Sequence, residues 1–363
     1  MAAPQGKGFY IWKIPSCEGG DPVKIAYTAH RAGLTHVLIK IANGIYDYNY
    51  DTTTKADLVG PLAEKLLEKG IKVWGWHYIF GDLPKEEAKA AIRQINKLPL
   101  DGYIIDAEGE CKGKYTPCRT FLSELRNALP DFPMALSSYR YPDYHNDLPW
   151  NDFLAKCDYN MPQVYWEQAH NPDEQLEKSL NQFKANWSPF RPIIPTGAAY
   201  GGSGWYPTPE DIVKFMDKAV ALGMTGVNFW SWDYCRLKLP IIWETIANYE
   251  WPGIPNPAAD ITESLFSALN KADIEALIAL YASDAIHITA DRTIQGQNAL
   301  RSWYTQVLNT VYPGAVFSLT EFSGKDPTRY LSWKITLSNG SEKTGSDTIG
   351  LSNNKIIYHY STL

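Results

Sequence analysis

Leu100-Asp101-Gly102-Tyr103-Ile104-Ile105-Asp106-Ala107-Glu108-Gly109-Glu110 is the stretch on which the fold turns. An apolar strand ends there in two carboxylates spaced i, i+2. Strand side chains alternate faces, so Asp106 and Glu108 share one face, with Cα atoms roughly 6.6 Å apart at about 3.3 Å per residue. The run before them is apolar on both faces, as in parallel strands covered on both sides.

Seven further runs share that character. They are Gly8–Lys13, Thr35–Ile41, Lys72–Tyr78, Met134–Ser138, Asn160–Tyr165, Ile193–Gly197 and Gly226–Trp230, with the opening strand fourth, at Gly102–Asp106. Helical patterns lie between them, at Ala56–Lys69, Lys85–Lys97, Cys118–Leu129, Asp173–Trp187 and Pro209–Leu222. Thr208 supplies an N-cap to the last, with Pro at N1 and acids in the first turn. Eight strand–helix units in about 240 residues predict an α/β fold, a (β/α)8 TIM barrel over residues 1–252. The competing open doubly wound sheet lacks its Gly-rich phosphate turn after the first strand.

Trp251-Pro252-Gly253-Ile254-Pro255-Asn256-Pro257-Ala258 closes the barrel, and 253–259 reads as a stiff Pro-rich linker. From 260 to 363 the pattern changes. Ile261–Tyr281 is helical with a break near Asn270–Asp273, and Leu300–Leu308 is a short helix. Strand-like runs follow at Val316–Phe322, Arg329–Leu337, Ser346–Leu351 and Lys355–Tyr360, with a hairpin turn at Asn353-Asn354. This predicts a smaller α+β domain.

Composition narrows the function. A chain of 363 residues, 45% apolar, supports two cores, and a net charge of −6 argues against a nucleic-acid surface. No apolar run approaches the roughly 18 residues of a membrane span. Met1-Ala2-Ala3-Pro4-Gln5-Gly6-Lys7 has no hydrophobic stretch of a secretion signal. The excess is aromatic, 13 Trp and 23 Tyr, and aromatic faces stack on sugar rings as well as filling cores.

Chemistry in such barrels sits at the C-terminal strand ends. Those ends carry Trp12, Lys13, Lys40, Asn43, Trp76, His77, Tyr78, Asp106, Glu108, Glu110, Ser138, Tyr139, Arg140, Gln163, Tyr165, Trp166, Glu167, Thr196, Tyr200, Trp230, Trp232 and Asp233. The set is polar and aromatic. Phosphate sites want glycine loops and cations, and metal hydrolases want several histidines, so no metal or cofactor is expected. Glu108 is the expected general acid, its pKa raised under aromatic walls, and Asp106 the supporting carboxylate. The other use of such a pair is capping the next loop. Glu110 reads as a loop residue. Expected substrate contacts are His77, Tyr78, Tyr139, Gln163, Tyr165, Trp166, Glu167, Trp230, Trp232 and Asp233. Several have a second reading: a core histidine at His77, a loop salt bridge at Glu167, core packing at Trp230 and Trp232. Cys17 with Cys235, and Cys111 with Cys118, are candidate disulfides on one face, pointing to an oxidising compartment. Zinc is the rival use of these cysteines, but their spacing fits no standard site. Cys157 reads as a buried free thiol.

Ile105-Asp106-Ala107-Glu108 resembles the Asp-x-Glu of family 25 muramidases. Asp101-Gly102 upstream is similar to the start of the family 18 chitinase-like signature, and Trp76-His77-Tyr78 and Met161-Pro162-Gln163-Val164-Tyr165 suit either family. Family 25 carries an Asp in its first strand, where this chain reads Gly8-Phe9-Tyr10-Ile11, and family 18 a further Asp where Ile104 stands. The resemblance implies a retaining glycoside hydrolase for an N-acetylated polysaccharide such as peptidoglycan or chitin, directed outside the cell or to the cell wall, with the substrate's N-acetyl group as nucleophile. A carbohydrate-binding protein on a degenerate barrel is the alternative. From about Ile261 the chain resembles the NTF2-like, SnoaL-like cone, on Ser267–Asp273, Leu280–Asp284, Gln295-Gly296 and the closing strand Lys355–Tyr360. That resemblance implies a pocket lined by His287, Asp291, Tyr304 and His359, used for ligand binding, catalysis or homodimer formation.

Overall fold

A computed structural model describes residues 3–257, 260–324 and 327–362. It divides into two compact units, one ending at Pro257 and the other beginning at Ala258. In the first, strands β1 (Gly6–Ile11), β2 (Leu34–Asn43), β3 (Lys72–Ile79), β4 (Gly102–Ala107), β5 (Met134–Tyr139), β6 (Tyr159–Val164), β7 (Thr196–Ala198) and β8 (Gly226–Trp230) all run parallel. β1 pairs with both β2 and β8, which closes the barrel. Helices α1 (Pro22–Arg31), α2 (Val59–Glu68), α3 (Pro84–Lys97), α4 (Tyr115–Ala128), α5 (Trp150–Lys156), α6 (Pro172–Asn186), α7 (Pro209–Ala221), α8 (Trp232–Lys238) and α9 (Pro240–Asn248) connect and follow them. Thr208 and Asp211 form a reciprocal capping box at the start of α7.

The lumen is filled in layers. Tyr10, Leu38, Trp74, Trp76, Ile104, Ala135, Met161 and Ile194 form one inner cluster, drawn from β1 to β6 and the residues before β7. A Cβ on Gly102 would stand 2.6 Å from the Trp74 indole, so only glycine lets that ring lie across the barrel floor. The segment read as a linker is fastened to the barrel: the buried Lys7 ammonium donates to the carbonyls of Ile246, Ala247 and Tyr249 and to Asn256 Oδ1. The rest of that reading, Ala258 and Ala259, lies outside the described residues.

All five cysteines are buried free thiols, which corrects the expected disulfides. Cys17 Sγ donates to the Lys13 carbonyl and Cys235 Sγ to the Leu239 carbonyl, so each thiol turns back on its own segment. Cys111 Sγ donates to the Ile79 carbonyl, and the Cys118 thiol is its hydrogen-bonded neighbour with no bridge between them. With no bridge, the argument for an oxidising compartment loses its basis. Among the described residues no His, Cys, Asp and Glu cluster suits a metal, and no helix is long and apolar enough to cross a membrane.

The second unit places α10 (Ile261–Asn270), α11 (Ile274–Ala279) and α12 (Gln297–Gln306) with a six-stranded sheet. Its strands are β9 (Tyr281–Ile288), β10 (Thr293–Gln295), β11 (Val316–Ser323), β12 (Thr328–Thr336), β13 (Glu342–Ser352) and β14 (Lys355–Thr362), in the order β10-β9-β14-β13-β12-β11. β9 pairs parallel to β14 and all other pairs are antiparallel. Asn353 and Asn354, at φ 48° and 58°, make the tight turn between β13 and β14.

Candidate active site

The lumen layer predicts the site. Two residues beyond the inner cluster, the same strand faces present Trp12, Lys40, Tyr78, Asp106, Ser137 and Gln163. These line a cavity of about 420 Å³ at the C-terminal end of the barrel, with Tyr10, Asn43, Trp76, Phe80, Glu108, Tyr165 and Trp230. Asp106 and Glu108 therefore share one face and one cavity.

Gln163 joins them. Its Nε2 donates to Asp106 Oδ1 at 3.1 Å and Glu108 Oε1 at 2.9 Å, with Ser137 Oγ at 3.4 Å. Two carboxylates thus meet on one amide group. Asp106 is buried while Glu108 is only half-buried. Desolvation first, then the adjacent Glu108, push the Asp106 carboxyl well above its usual range, against the opposing pull of Lys40, Ser137 and Gln163. Burial thus raises Asp106, the group cast from sequence as the supporting carboxylate.

Lys40 is the cation of the cavity. Its ammonium donates to Asn43 Oδ1 at 2.9 Å and lies 4.6 Å from the ring centres of both Trp76 and Tyr48. Burial lowers its pKa to about 8, so it still carries charge near neutrality. Trp12, Trp76 and Trp230 form the aromatic wall; Trp230 packs 5.5 Å from Trp76 and 6.2 Å from Trp12. Glu110 is exposed on the 3-10 turn Gly109–Cys111 that follows β4, and accepts from Tyr78 Oη at 2.5 Å.

Of the expected contacts, Tyr78, Gln163, Tyr165 and Trp230 come together here. His77 does not: its ring faces outward, bonded to Tyr103 Oη at 2.8 Å and the Gly44 carbonyl at 2.7 Å. Burial holds its pKa down to about 4, the behaviour of a core histidine. Trp166 and Trp232 are also core, packed on Phe215 and on Phe9 with Trp243. Tyr139 stacks on His145 at 3.7 Å outside the cavity lining. Glu167 is exposed and accepts from Tyr200 Oη at 2.5 Å. Asp233 accepts from Ser231 Oγ at the start of α8. Asp101, the first residue of the family 18-like signature, binds Lys72 and the Val73 amide at the other end of β4. Sequence reading placed Trp12, Lys40, Asn43 and Trp76 at strand ends without assigning them to the site, and missed Tyr10, Phe80 and Ser137. Alternation backwards from Trp12 and Tyr139 yields Tyr10 and Ser137; Phe80 had no such signal.

The C-terminal unit holds its own cavity of about 280 Å³, lined by apolar side chains and by His287, Asp291, Tyr304, Asp347, His359 and Ser361. A hydrogen-bonded chain runs along its wall: Tyr304 Oη to Tyr281 Oη at 2.5 Å, Tyr281 Oη to His359 Nδ1 at 2.6 Å, His359 Nε2 to Asp347 Oδ2 at 2.9 Å. Trp333 Nε1 donates to the other Asp347 oxygen at 2.8 Å. His287 stacks on His359 at 4.0 Å, and its buried Nδ1 has no partner.

No family model matches the chain, and no curated protein matches it in sequence. Solved structures that it resembles include a candidate ketosteroid isomerase from Kribbella flavida DSM 17836, at 17% identity and TM-score 0.26, covering 28% of this chain and 73% of that one. A candidate isomerase of the SnoaL-like family from Agrobacterium tumefaciens str. C58 has 19% identity and TM-score 0.26, covering 28% and 93%. An NTF2-like protein of unknown function from Cytophaga hutchinsonii ATCC 33406 has 13% identity and TM-score 0.25, covering 28% and 85%. Likenesses of that extent say nothing of what this chain binds or does.

Proposed function

We propose that the barrel cavity is the active site of a glycoside hydrolase acting on a polysaccharide, N-acetylated as in chitin or peptidoglycan. The observation that carries this reading is the carboxylate pair held by one amide beneath an aromatic wall. Glu108, half-exposed to the cavity, is the general acid. Asp106 is the buried supporting carboxylate.

Geometry narrows the route. Asp106 Oδ1 and Glu108 Oε1 both lie within 3.1 Å of one nitrogen. They therefore stand closer than the roughly 6.5–9.5 Å that an inverting acid and base need around a water. The cavity-lining residues include no third carboxylate. Asp106, buried and holding its proton, is a poor nucleophile, so the nucleophile this leaves is the substrate's own acetamido oxygen, as in substrate-assisted retaining enzymes. It bonds to the anomeric carbon as the glycosidic C–O bond breaks and Glu108 protonates the departing oxygen. Water then attacks the same carbon, the bond from that carbon to the acetamido oxygen breaks, and a proton of the water passes to Glu108. Asp106, holding its proton and tied to the amide it shares with Glu108, orients the acetamido group for that attack.

Glu108→Gln tests the reading. The variant is expected to fold and still bind chitohexaose but to lose about 10² to 10⁴ in turnover, the usual worth of a general acid. Unchanged turnover would sink the assignment. Sugar binding without turnover in the wild-type chain would leave a carbohydrate-binding protein instead.

A second reading has one observation behind it, the unpaired His287 Nδ1 in the C-terminal cavity. A mostly apolar pocket with His287, Tyr304, Asp347 and Ser361 among its lining suits a small apolar molecule bearing one hydroxyl. It predicts that 1-naphthol raises the melting temperature of the full chain, and that the rise vanishes in His287→Phe.

A further inference from the structure

The catalytic cavity does not end at its own rim. A second hollow of about 460 Å³ lies alongside, lined by Lys13, Asn43, Tyr46, Tyr48 and Tyr50 among others. Asn43 lines both spaces. Lys40 spans the junction. Its ammonium lies 4.6 Å from the Trp76 ring on the cavity side and 4.6 Å from the Tyr48 ring on the other, and it donates to Asn43.

The hollow is held in shape before anything binds. Tyr46 and Asp47 form a short strand paired back onto Asn43 and Ala42 of β2. Asn49, buried and at φ 55°, donates to the carbonyls of Trp12 and Lys40 and accepts from the Ile14 amide. One side chain thus ties the ends of β1 and β2 to the loop. Asp47 is also paired with Arg93 of α3.

On this fixed frame the aromatic rings face solvent. Tyr46 is 71% exposed and Tyr50 42%. An exposed apolar cluster rimmed by polar residues marks a binding groove, where a lone surface ring does not. Such rings, rimmed by Asn43 and Lys13, offer faces for sugar rings and donors for their oxygens. One glycan can serve both spaces, because Asn43 lines the two of them.

We infer that this hollow is a distal subsite, and that the barrel's substrate is a glycan long enough to lie in the cavity, cross Lys40 and Asn43, and stack on Tyr46 and Tyr50. This rests on the sugar-binding part of the reading above. It adds that the enzyme acts on chains rather than on disaccharides, and that the Lys40 ammonium grips an oxygen substituent at the crossing.

The test is calorimetric titration of full-length Glu108→Gln with chitohexaose and with chitobiose. Chitohexaose is expected to bind at least tenfold tighter. Tyr46→Ala with Tyr50→Ala, both exposed and outside the catalytic cavity, brings the hexamer to within threefold of the dimer and leaves dimer affinity within twofold. Should Glu108→Gln not fold, the wild-type chain is titrated with thio-linked chitooligosaccharides, which resist cleavage. Equal affinity for the two lengths, unchanged hexamer affinity in the double variant, or no binding of either sugar overturns the subsite. Hydrolysis is read separately. A wild-type chain that binds the hexamer through these tyrosines yet cuts nothing supports the subsite and overturns the hydrolase.

Discussion

Asp106 in the barrel and Asp347 in the C-terminal unit are both buried, 8% and 9% exposed, yet their carboxyls move in opposite directions. Desolvation works to raise both. Around Asp106 it wins, because the nearest charge is a second carboxylate and one amide donor is divided between them. Around Asp347 it loses. His359, Trp333 and Ser361 all favour the charged form and hold the carboxyl below its ordinary range. The count and sign of the neighbours decide between a proton-holding site and a structural anchor; burial alone does not.

The comparison breaks most visibly at the shared donor. Gln163→Leu takes the amide from both barrel carboxylates at once. It is expected to lower kcat/KM on chitohexaose roughly tenfold to a hundredfold through lost positioning. It also moves the pH–rate profile upward, since a lost N–H donor disfavours the charged forms. A purely structural role would leave the profile in place.

Asp347→Asn comes next. A depressed carboxyl contributes stability above its unfolded pKa and loses it as pH falls through the folded value. The variant is therefore expected to destabilise the C-terminal unit near pH 7 by about 1–3 kcal/mol, with the gap closing below about pH 4. Denaturant unfolding at the two pH values measures it. An equal loss at both would show that packing, not charge, is at stake.

Asp106→Asn should run the other way. Its raised carboxyl favours the fold only while protonated, so stability is lost as pH rises through the folded pKa. The neutral isostere removes that loss. Its melting temperature should gain on the wild type as pH rises above about 4, where the unfolded carboxyl ionises and the folded one still holds its proton. A widening deficit instead would mean that the Lys40 field outweighs desolvation.

Asp291 sets the lower bound. It is fully exposed, and its side-chain hydrogen bond to Arg292, with a second from Thr289, holds its pKa down to about 2. Water screens such a pair, and Asp291→Ala should leave the melting temperature unchanged within error. A clear drop would mean that the C-terminal pocket rim depends on it.

Much of the fold was legible locally. Apolar runs located all eight barrel strands, and Thr208-Pro209 located the start of α7, because strand period and helix caps are properties of neighbouring residues. β9 was not legible. Tyr281–Ile288 begins as the helical pattern ends, carries Ser283 and Asp284, and is irregular in its pairing with β14. β7 was read as Ile193–Gly197, but only Thr196–Ala198 forms the strand, with Ile193 contributing an isolated bridge to Asn160. Within the site, Trp76, His77 and Tyr78 show the difficulty. Alternation says that His77 opposes its neighbours. It does not say which side is the lumen.

By itself the sequence determined the period of each strand, the pairing of Asp106 with Glu108 on one face, and an aromatic content whose split between core and site it left open. Tertiary structure decided the phase. Closing β1 against β8 turned Trp12, Lys40, Tyr78 and Gln163 inward toward the acids and turned His77, Trp166 and Trp232 outward into the helical shell. It also decided which carboxyl pays the greater cost of burial. Period is local, set by backbone geometry at each residue. Phase and desolvation depend on what packs against each face, and those partners come from strands dozens to hundreds of residues away.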